Sequence, residues 1–275
     1  MKFDIDIVGK IGSMALINKS GNDLDYNILS SISRELKPGI VWITSGAVEI
    51  GRLDYIKRMD GCEITGADDD IKTDYAAQGQ IILLETYRRF IKSSYSLRQF
   101  LVEHQHFNDP EKRLHLKNAL LRCPAQNAIP IINYNDPVST TENRKMEIKA
   151  FLVKNGRAAE CVDNDETASE IACLLKPKCL ILLTSVDGIF KDISDKATLV
   201  REISGKDIDE VIKNIEYYQA FCRGSSRPGA NGAGYKLEFV KEPIKLGTTV
   251  YIANSAYTIT DILSGIAPST IIKVR

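Results

Sequence analysis

The sequence predicts an α/β fold, a mainly parallel sheet with helices on both faces. Three observations predict it. Short apolar runs alternate with stretches of helical periodicity along the chain, the pattern of strands joined by crossover helices. One run, Cys179–Thr184 (CLILLT), is apolar throughout, as expected of a strand covered on both sides. The runs end repeatedly in Gly, Ser, Thr, Asn or Asp, at the strand ends where such sheets bind ligands. No low-complexity linker or internal repeat breaks the alternation, and the 275 residues are read as one domain.

Residues 3–8 form the first strand and run into a Gly-containing turn, residues 9–13. Leu24, Ile28, Ile32 and Leu36 fall at helical spacing, and Pro38-Gly39 ends that helix. Residues 40–44 (IVWIT) are a second strand, and Ser45-Gly46-Ala47 opens the helix after it. Asp74 caps a long helix to about residue 91, with Ile81, Leu84, Tyr87 and Phe90 on a core or subunit-contact face. Ahead of it, Asp68-Asp69-Asp70 reads as a solvated loop. Residues 97–102 are a strand; His104 and His106 share a face if it continues, and read as a surface pair rather than a metal site. Asp109-Pro110 supplies an N-cap and a first helical residue. Residues 129–132 are a strand, 164–175 a helix, and 248–252 and 270–274 late strands. Pro243 predicts a kink or early end in the helix that follows Lys236.

Lys+Arg and Asp+Glu both total 36. That balance argues against a nucleic-acid partner, which calls for a basic excess. The N-terminus, MKFDID, carries acids where a signal peptide needs apolar residues. No apolar run approaches the roughly 18 residues of a membrane span. A cytoplasmic protein without a membrane partner is expected. The six cysteines are scattered with no CxxC spacing. They read as reduced, mostly buried thiols, with zinc the weaker alternative.

The chemistry gathers at the strand ends. Lys10 with Gly12 and Ser13 follows the first strand, and Ser45-Gly46 the second. Asn133-Tyr134-Asn135-Asp136 follows another, and Asp163-Asn164-Asp165 precedes a helix. Thr184-Ser185-Val186-Asp187-Gly188 follows the Cys179 strand, and a Gly-rich loop at 224–234 leads to Lys236. Each piece has a plain structural explanation: a solvated lysine, an N-cap, an ordinary loop. Together they suit phosphoryl transfer. Small residues let backbone N–H groups approach phosphate oxygens, lysines neutralise the moving charge, and acids orient the lysines. The chain has no GxxxxGK[ST] motif, which argues against a P-loop fold.

The segments GKIGSMAL, VWITSGAVEIGR, AAQGQ, IPIINYNDPVS, VDNDETASEIACLL, LILLTSVDGIF and GANGAGYKLEFV follow the order of matching segments in a known family. In them the chain resembles the amino acid kinase family and, within it, the glutamate 5-kinases, from about residue 7 to the last strand. The resemblance implies a three-layer αβα sandwich with a mainly parallel central sheet, of the carbamate kinase-like kind. It places the acceptor over the N-terminal half and ATP over the C-terminal half. It implies that Lys10 and Lys236 stabilise the transferred phosphoryl group and that Asp165 orients them. Ser45, Gly46, Asp136 and Asn164 would hold the acceptor, Asp136 through its ammonium group. Lys10, Gly12, Ser13, Thr184, Ser185 and Asp187 would contact ATP. So would Ala230, Asn231, Gly232, Ala233, Gly234, Tyr235 and Lys236. The implied reaction is ATP- and Mg²⁺-dependent phosphorylation of the L-glutamate side-chain carboxylate, the first step of proline biosynthesis, in a homodimer or homotetramer. Two alternatives stay open. One is a kinase of another acceptor: another amino acid or acyl-amino acid, carbamate, a phosphonate or a nucleoside monophosphate. The other is a silent nucleotide-binding regulatory protein.

The chain departs from the family pattern in places. Met14 replaces a second hydroxyl, Ser185 stands where Asp is common, and GIFKDISD replaces a Gly-Leu-Tyr-x-x-Asp-Pro run. The stretch 142–161 is longer than usual. Its mixed charge, with Lys145, Lys149, Lys154 and Arg157, predicts a mobile flap over the acceptor. Its Arg144 and Arg157 would suit an acceptor phosphate, whereas NYND and VDND suit an amino acid. The sequence ends at Arg275, and the RNA-binding-like C-terminal domain of some family members is not expected.

Overall fold

A computed structural model describes residues 5–18, 23–139, 141–156, 158–161, 163–222 and 232–275, without the side chains of 142, 143 and 155. Strand β1, Ile7–Ile11, is buried along its length and includes Gly9 and Lys10, expected in a turn. Packing explains the difference. A Cβ on Gly9 would stand 2.3 Å from the Trp42 ring, so the indole fills the space a side chain would need. Helix α1, Tyr26–Glu35, is capped by Asp25, which accepts from the N–H groups of Asn27 and Ile28. Strand β2, Ile40–Ile43, leads to α2, Ala47–Arg58. Helix α3, Asp68–Phe90, starts ahead of Asp74. The three aspartates expected in a solvated loop form its first turn, where acidic residues complement the helix dipole.

Strand β3, Ser96–Val102, stops short of the histidines, and α4, Gln105–Asn108, turns the chain there. Helix α5, Pro110–Arg122, begins as predicted, with Asp109 accepting from the N–H groups of Glu111 and Lys112. Strand β4 is Ala128–Tyr134. The 142–161 stretch, expected as a flap, is mostly helical, α6 being Thr141–Asn155. Helix α7, Asn164–Leu175, and strand β5, Cys179–Thr184, have the predicted bounds. Strand β6, Glu202–Gly205, and helix α8, Ile208–Gln219, were not foreseen. Helices α9, Gly232–Phe239, and α10, Lys241–Lys245, are broken just ahead of Pro243, as its ring and missing N–H require. Strand β7, Thr249–Asn254, helix α11, Ile259–Leu263, and strand β8, Ser269–Val274, complete the chain.

The described residues form two compact units. One holds the chain up to Ile11, Gly39–Ile43, and the described residues from Asp163 onward. Its strands lie in the order β6-β8-β7-β5-β1-β2. Every pairing is parallel except β7 with β8. Lys10 stands between Ile43 on β2 and Leu182 on β5. Helices α7, α8 and α10 pack against this sheet. The result is the mainly parallel, helix-flanked sheet that the alternation predicts.

The other unit holds 12–38 and 44–161. Its parallel strands β3 and β4 pair from Ser96 opposite Ala128 to Val102 opposite Tyr134. Helices α2 and α3 press together at two glycines. A Cβ on Gly79 would stand 1.8 Å from the Ala47 carbonyl oxygen, and one on Gly51 1.8 Å from that of Tyr75. Gly79→Ala is therefore expected to destabilise the protein by about 1–3 kcal/mol, the usual cost of overpacking. A denaturant midpoint equal to the parent's would contradict this. Among the described residues no helix is long and apolar enough to cross a membrane.

Candidate active site

The first unit brings together the three residues read as catalytic. Asp163 caps α7 by accepting from the N–H groups of Asp165 and Glu166, which fixes Asp165 in the helix's first turn. The Asp165 carboxylate lies 2.6 Å from Lys10 Nζ on β1. Its other oxygen accepts from Lys236 Nζ on α9. Lys10 and Asp165 are only 6% and 5% exposed, and the Lys236 side chain closes the group from a half-buried position. Burial alone would raise the Asp165 carboxyl. The lysines outweigh it and hold the group at about 2. Two ammonium groups on one carboxylate leave one positive charge in excess, which suits a phosphoryl anion.

Helix α9 is tied down on two sides. Pro243 cannot donate to the Phe239 carbonyl, and Ser169 on α7 donates its hydroxyl there instead. Gln219 on α8 donates its amide to the Gly234 carbonyl at 3.0 Å. Gly232, Ala233, Gly234 and Tyr235 thus belong to the start of a helix rather than to a loop. Ala230, Asn231 and most of the 224–234 stretch lie outside the described residues.

The Thr184-to-Gly188 turn sits beyond β5 in the same unit. Thr184 Oγ1 accepts from the Val186 N–H at 2.9 Å, so this hydroxyl shapes its own turn. Asp187 accepts from the Asn254 amide at 3.1 Å. Gly188 has φ +154°, and a Cβ there would meet Thr270 Oγ1 at 2.5 Å. Ser185 shares this turn, its carbonyl facing the Asn254 amide. Asn164 is the first residue of α7, beside Asp165.

The second unit holds the remaining predicted residues. Gly46 takes φ +94° at the start of α2, where no side chain caps the helix. A Cβ on Gly46 would lie 3.5 Å from Ser13 Cα, so Gly12-Ser13 and Ser45-Gly46 are neighbouring turns. Asp136 starts a short 3-10 turn after β4. Burial pushes its carboxyl up to about 6, with the Arg144 guanidinium pulling the other way.

His104 is not the surface residue expected: it is 1% exposed. Its Nε2 lies 2.7 Å from Glu147 Oε2 on α6, and its Nδ1 3.3 Å from the Tyr134 hydroxyl. The sequence signal for this was absent, because Glu147 is 43 residues away. Arg144, read from the sequence as suited to an acceptor phosphate, stacks on the Tyr134 ring, 5.1 Å from the centroid. A groove of about 700 Å³ lined by Phe100, His106 and His115 holds none of the predicted site residues, and the buried charge trio is the better candidate.

A mainly parallel sheet with this trio, and no Walker A sequence, belongs to an α/β class distinct from P-loop proteins. The chain belongs to the amino acid kinase family, whose sequence profile matches residues 7–254. The resemblance read from the seven segments is thereby borne out. Relatives include the glutamate 5-kinase of Chlorobaculum tepidum, 31% identical over 255 residues, covering 90% of this chain and 63% of that protein. Another is that of Alkaliphilus metalliredigens, 28% identical, covering 90% and 87%. The chain thus spans less than two thirds of the Chlorobaculum protein's length. Among solved structures, carbamate kinase from Giardia lamblia bound to AMP-PNP matches with a TM-score of 0.61 at 14% identity, covering 98% of this chain and 99% of that one. UMP kinase from Bacillus anthracis matches with 0.53 at 13%, covering 98% and 95%. Those likenesses establish the amino acid kinase fold.

Proposed function

We propose that this protein is an ATP-dependent kinase of a carboxylate, and that the carboxylate is the side chain of L-glutamate. The observation that carries this reading is the buried Lys10–Asp165–Lys236 group, assembled from opposite ends of the chain. Charge develops on the oxygens around phosphorus during transfer, and preorganised ammonium groups away from water stabilise it. A carboxylate acceptor is already ionised at neutral pH, so no base need remove a proton. Its oxygen forms a bond to the γ-phosphorus, the bond to the ADP oxygen breaks, and an acyl phosphate results.

Lys10, Gly12, Ser13, Thr184, Ser185, Asp187 and residues 230–236 are assigned to ATP, with Thr184 and Asp187 acting by shaping their turn. Ser45, Gly46, Asp136 and Asn164 are assigned to the acceptor. Mg²⁺ is expected to accompany the nucleotide. Mg²⁺ of this kind keeps several waters and is held largely by substrate phosphate oxygens. When bound it supplies further neutralisation of the phosphate charge. A single cytoplasmic kinase domain that self-associates belongs to the same reading. The kinship with glutamate 5-kinases supports the choice of acceptor.

The test is glutamate-dependent ADP release, with hydroxylamine present to trap the acyl phosphate as a hydroxamate. Turnover of another acceptor, with none on millimolar glutamate, would overturn the choice of glutamate. The pH profile adds a sign. Asp136 is neutral below about 6 and then cannot pair with an ammonium group. The kcat/KM for glutamate should climb as pH rises through about 6 and then level off. Asp136→Asn should give a low profile without that step.

A further inference from the structure

We propose that Arg144 is a specificity-determining residue: with Asp136 it forms a two-charge clamp for the α-amino-acid end of the acceptor. The guanidinium takes the α-carboxylate and Asp136 takes the ammonium. This rests on the reading that the acceptor is an amino acid.

The first ground is the state of Asp136. The residue is half-buried, and that burial costs the ionised form. The Arg144 guanidinium lies over the Tyr134 ring, two residues before Asp136 in the chain, and it eases that cost without an ion pair to Asp136 among the described residues. A neighbouring anion and cation that do not pair with each other are the complement of a zwitterion. A ligand bringing its own ammonium and carboxylate would neutralise both.

The second ground is the state of Arg144. Its Nη1 donates to the Cys161 carbonyl at a long 3.4 Å, and the guanidinium stacks on Tyr134. Those contacts engage a minority of its five donors. Stacking holds the plane of the fork, which is what bidentate carboxylate recognition needs.

The third ground is the anchoring of α6. Arg144, Glu147, Ile148 and Phe151 recur at helical spacing. Glu147 pairs with buried His104, Ile148 is 7% exposed, and the Phe151 ring meets the His104 ring edge-on. At the helix start, Asp69 accepts from the Thr141 hydroxyl at 3.1 Å and from its N–H at 3.3 Å. Tyr134, which Arg144 covers, also hydrogen-bonds His104 and Ser139. Arg144 is therefore carried on a helix braced at several points.

Two analogues of glutamate test the clamp, since both keep the carboxylate that would be phosphorylated. 4-Aminobutyrate lacks the α-carboxylate, and glutarate lacks the ammonium. In Arg144→Ala, KM for glutamate should rise about 10- to 100-fold, the worth of a charge-assisted hydrogen bond. The preference for glutamate over 4-aminobutyrate should collapse by the same factor, while the preference over glutarate persists. Asp136→Asn should do the reverse. Arg144→Gln serves if the alanine variant fails to fold, and near-parental thermal midpoints certify the comparison. Parental turnover of glutamate with an unchanged 4-aminobutyrate preference in the Arg144 variants would overturn the clamp alone. Absence of glutamate turnover in the parent, alongside use of a phosphate-bearing acceptor, would overturn the acceptor reading and the clamp with it.

Discussion

Lys236→Ala is expected to lower kcat by about 10²–10³, equivalent to about 3–4 kcal/mol of lost transition-state stabilisation. The lysine's Nζ is fixed on Asp165, so it needs no reorganisation as charge moves toward ADP. Its side chain is 21% exposed, and α9 stays tied through Ser169 and Gln219. The thermal midpoint should therefore fall little. Lys10→Met should cost a similar factor in rate, with a larger stability loss, because Lys10 is 6% exposed between two central strands. The double variant should lose less than the product of the two, since both act on one transition state. Steady-state kinetics with saturating ATP and acceptor check this. Turnover of Lys236→Ala within a few-fold of the parent, in a folded sample, would remove the catalytic assignment.

Much of the fold was legible because it is local. The apolar run at Cys179–Thr184 and the Asp163 cap with its apolar helix gave β5 and α7 to the residue. Asp109-Pro110 did the same for the start of α5. These signals lie within a few residues of the element they specify. The misses depend on partners far along the chain. Lys10 belongs to a strand rather than a turn because Trp42 packs over Gly9 and Asp165 offsets the buried charge. No window around Lys10 contains either.

The same holds for the candidate site. Lys10 and Lys236 stood out at a strand end and a loop end, and the resemblance implied that they act together with Asp165; the contacts that join the three are tertiary. His104 looked like a surface residue because its environment comes from Tyr134 and Glu147. The 142–161 stretch looked like a loop because its charge is mixed all round. Helix α6 is specified instead by a few contacts to one distant ring, Glu147 to His104 and Phe151 to the same ring. Tertiary packing overrides a weak amphipathic pattern there.

Asp165→Asn should have the largest combined effect, and its signs differ from those of the lysine variants. Removing one member of a buried ionic group leaves uncompensated charge, at a cost of about 3–5 kcal/mol. Here two ammonium groups lose their shared counter-ion, so unfolding at neutral pH should shift by that order. The acid limb gives a second readout. The Asp165 carboxyl sits at about 2 against an ordinary 3.8, because Lys10 and Lys236 outweigh the effect of burial. A depressed carboxyl stabilises the fold fully above its unfolded value and loses that stabilisation as pH falls through the folded one. The stability gap between parent and variant should therefore be widest above pH 4 and narrow toward pH 2. The nucleotide gives a third readout. With the carboxylate gone, the ammonium groups attract a triphosphate at least as strongly, yet they are no longer held in place. The kcat should fall while the Kd for ATP stays level or tightens. A parental midpoint at neutral pH, or a gap that stays constant down the acid limb, would show that Asp165 does not bind the two lysines into one charge group.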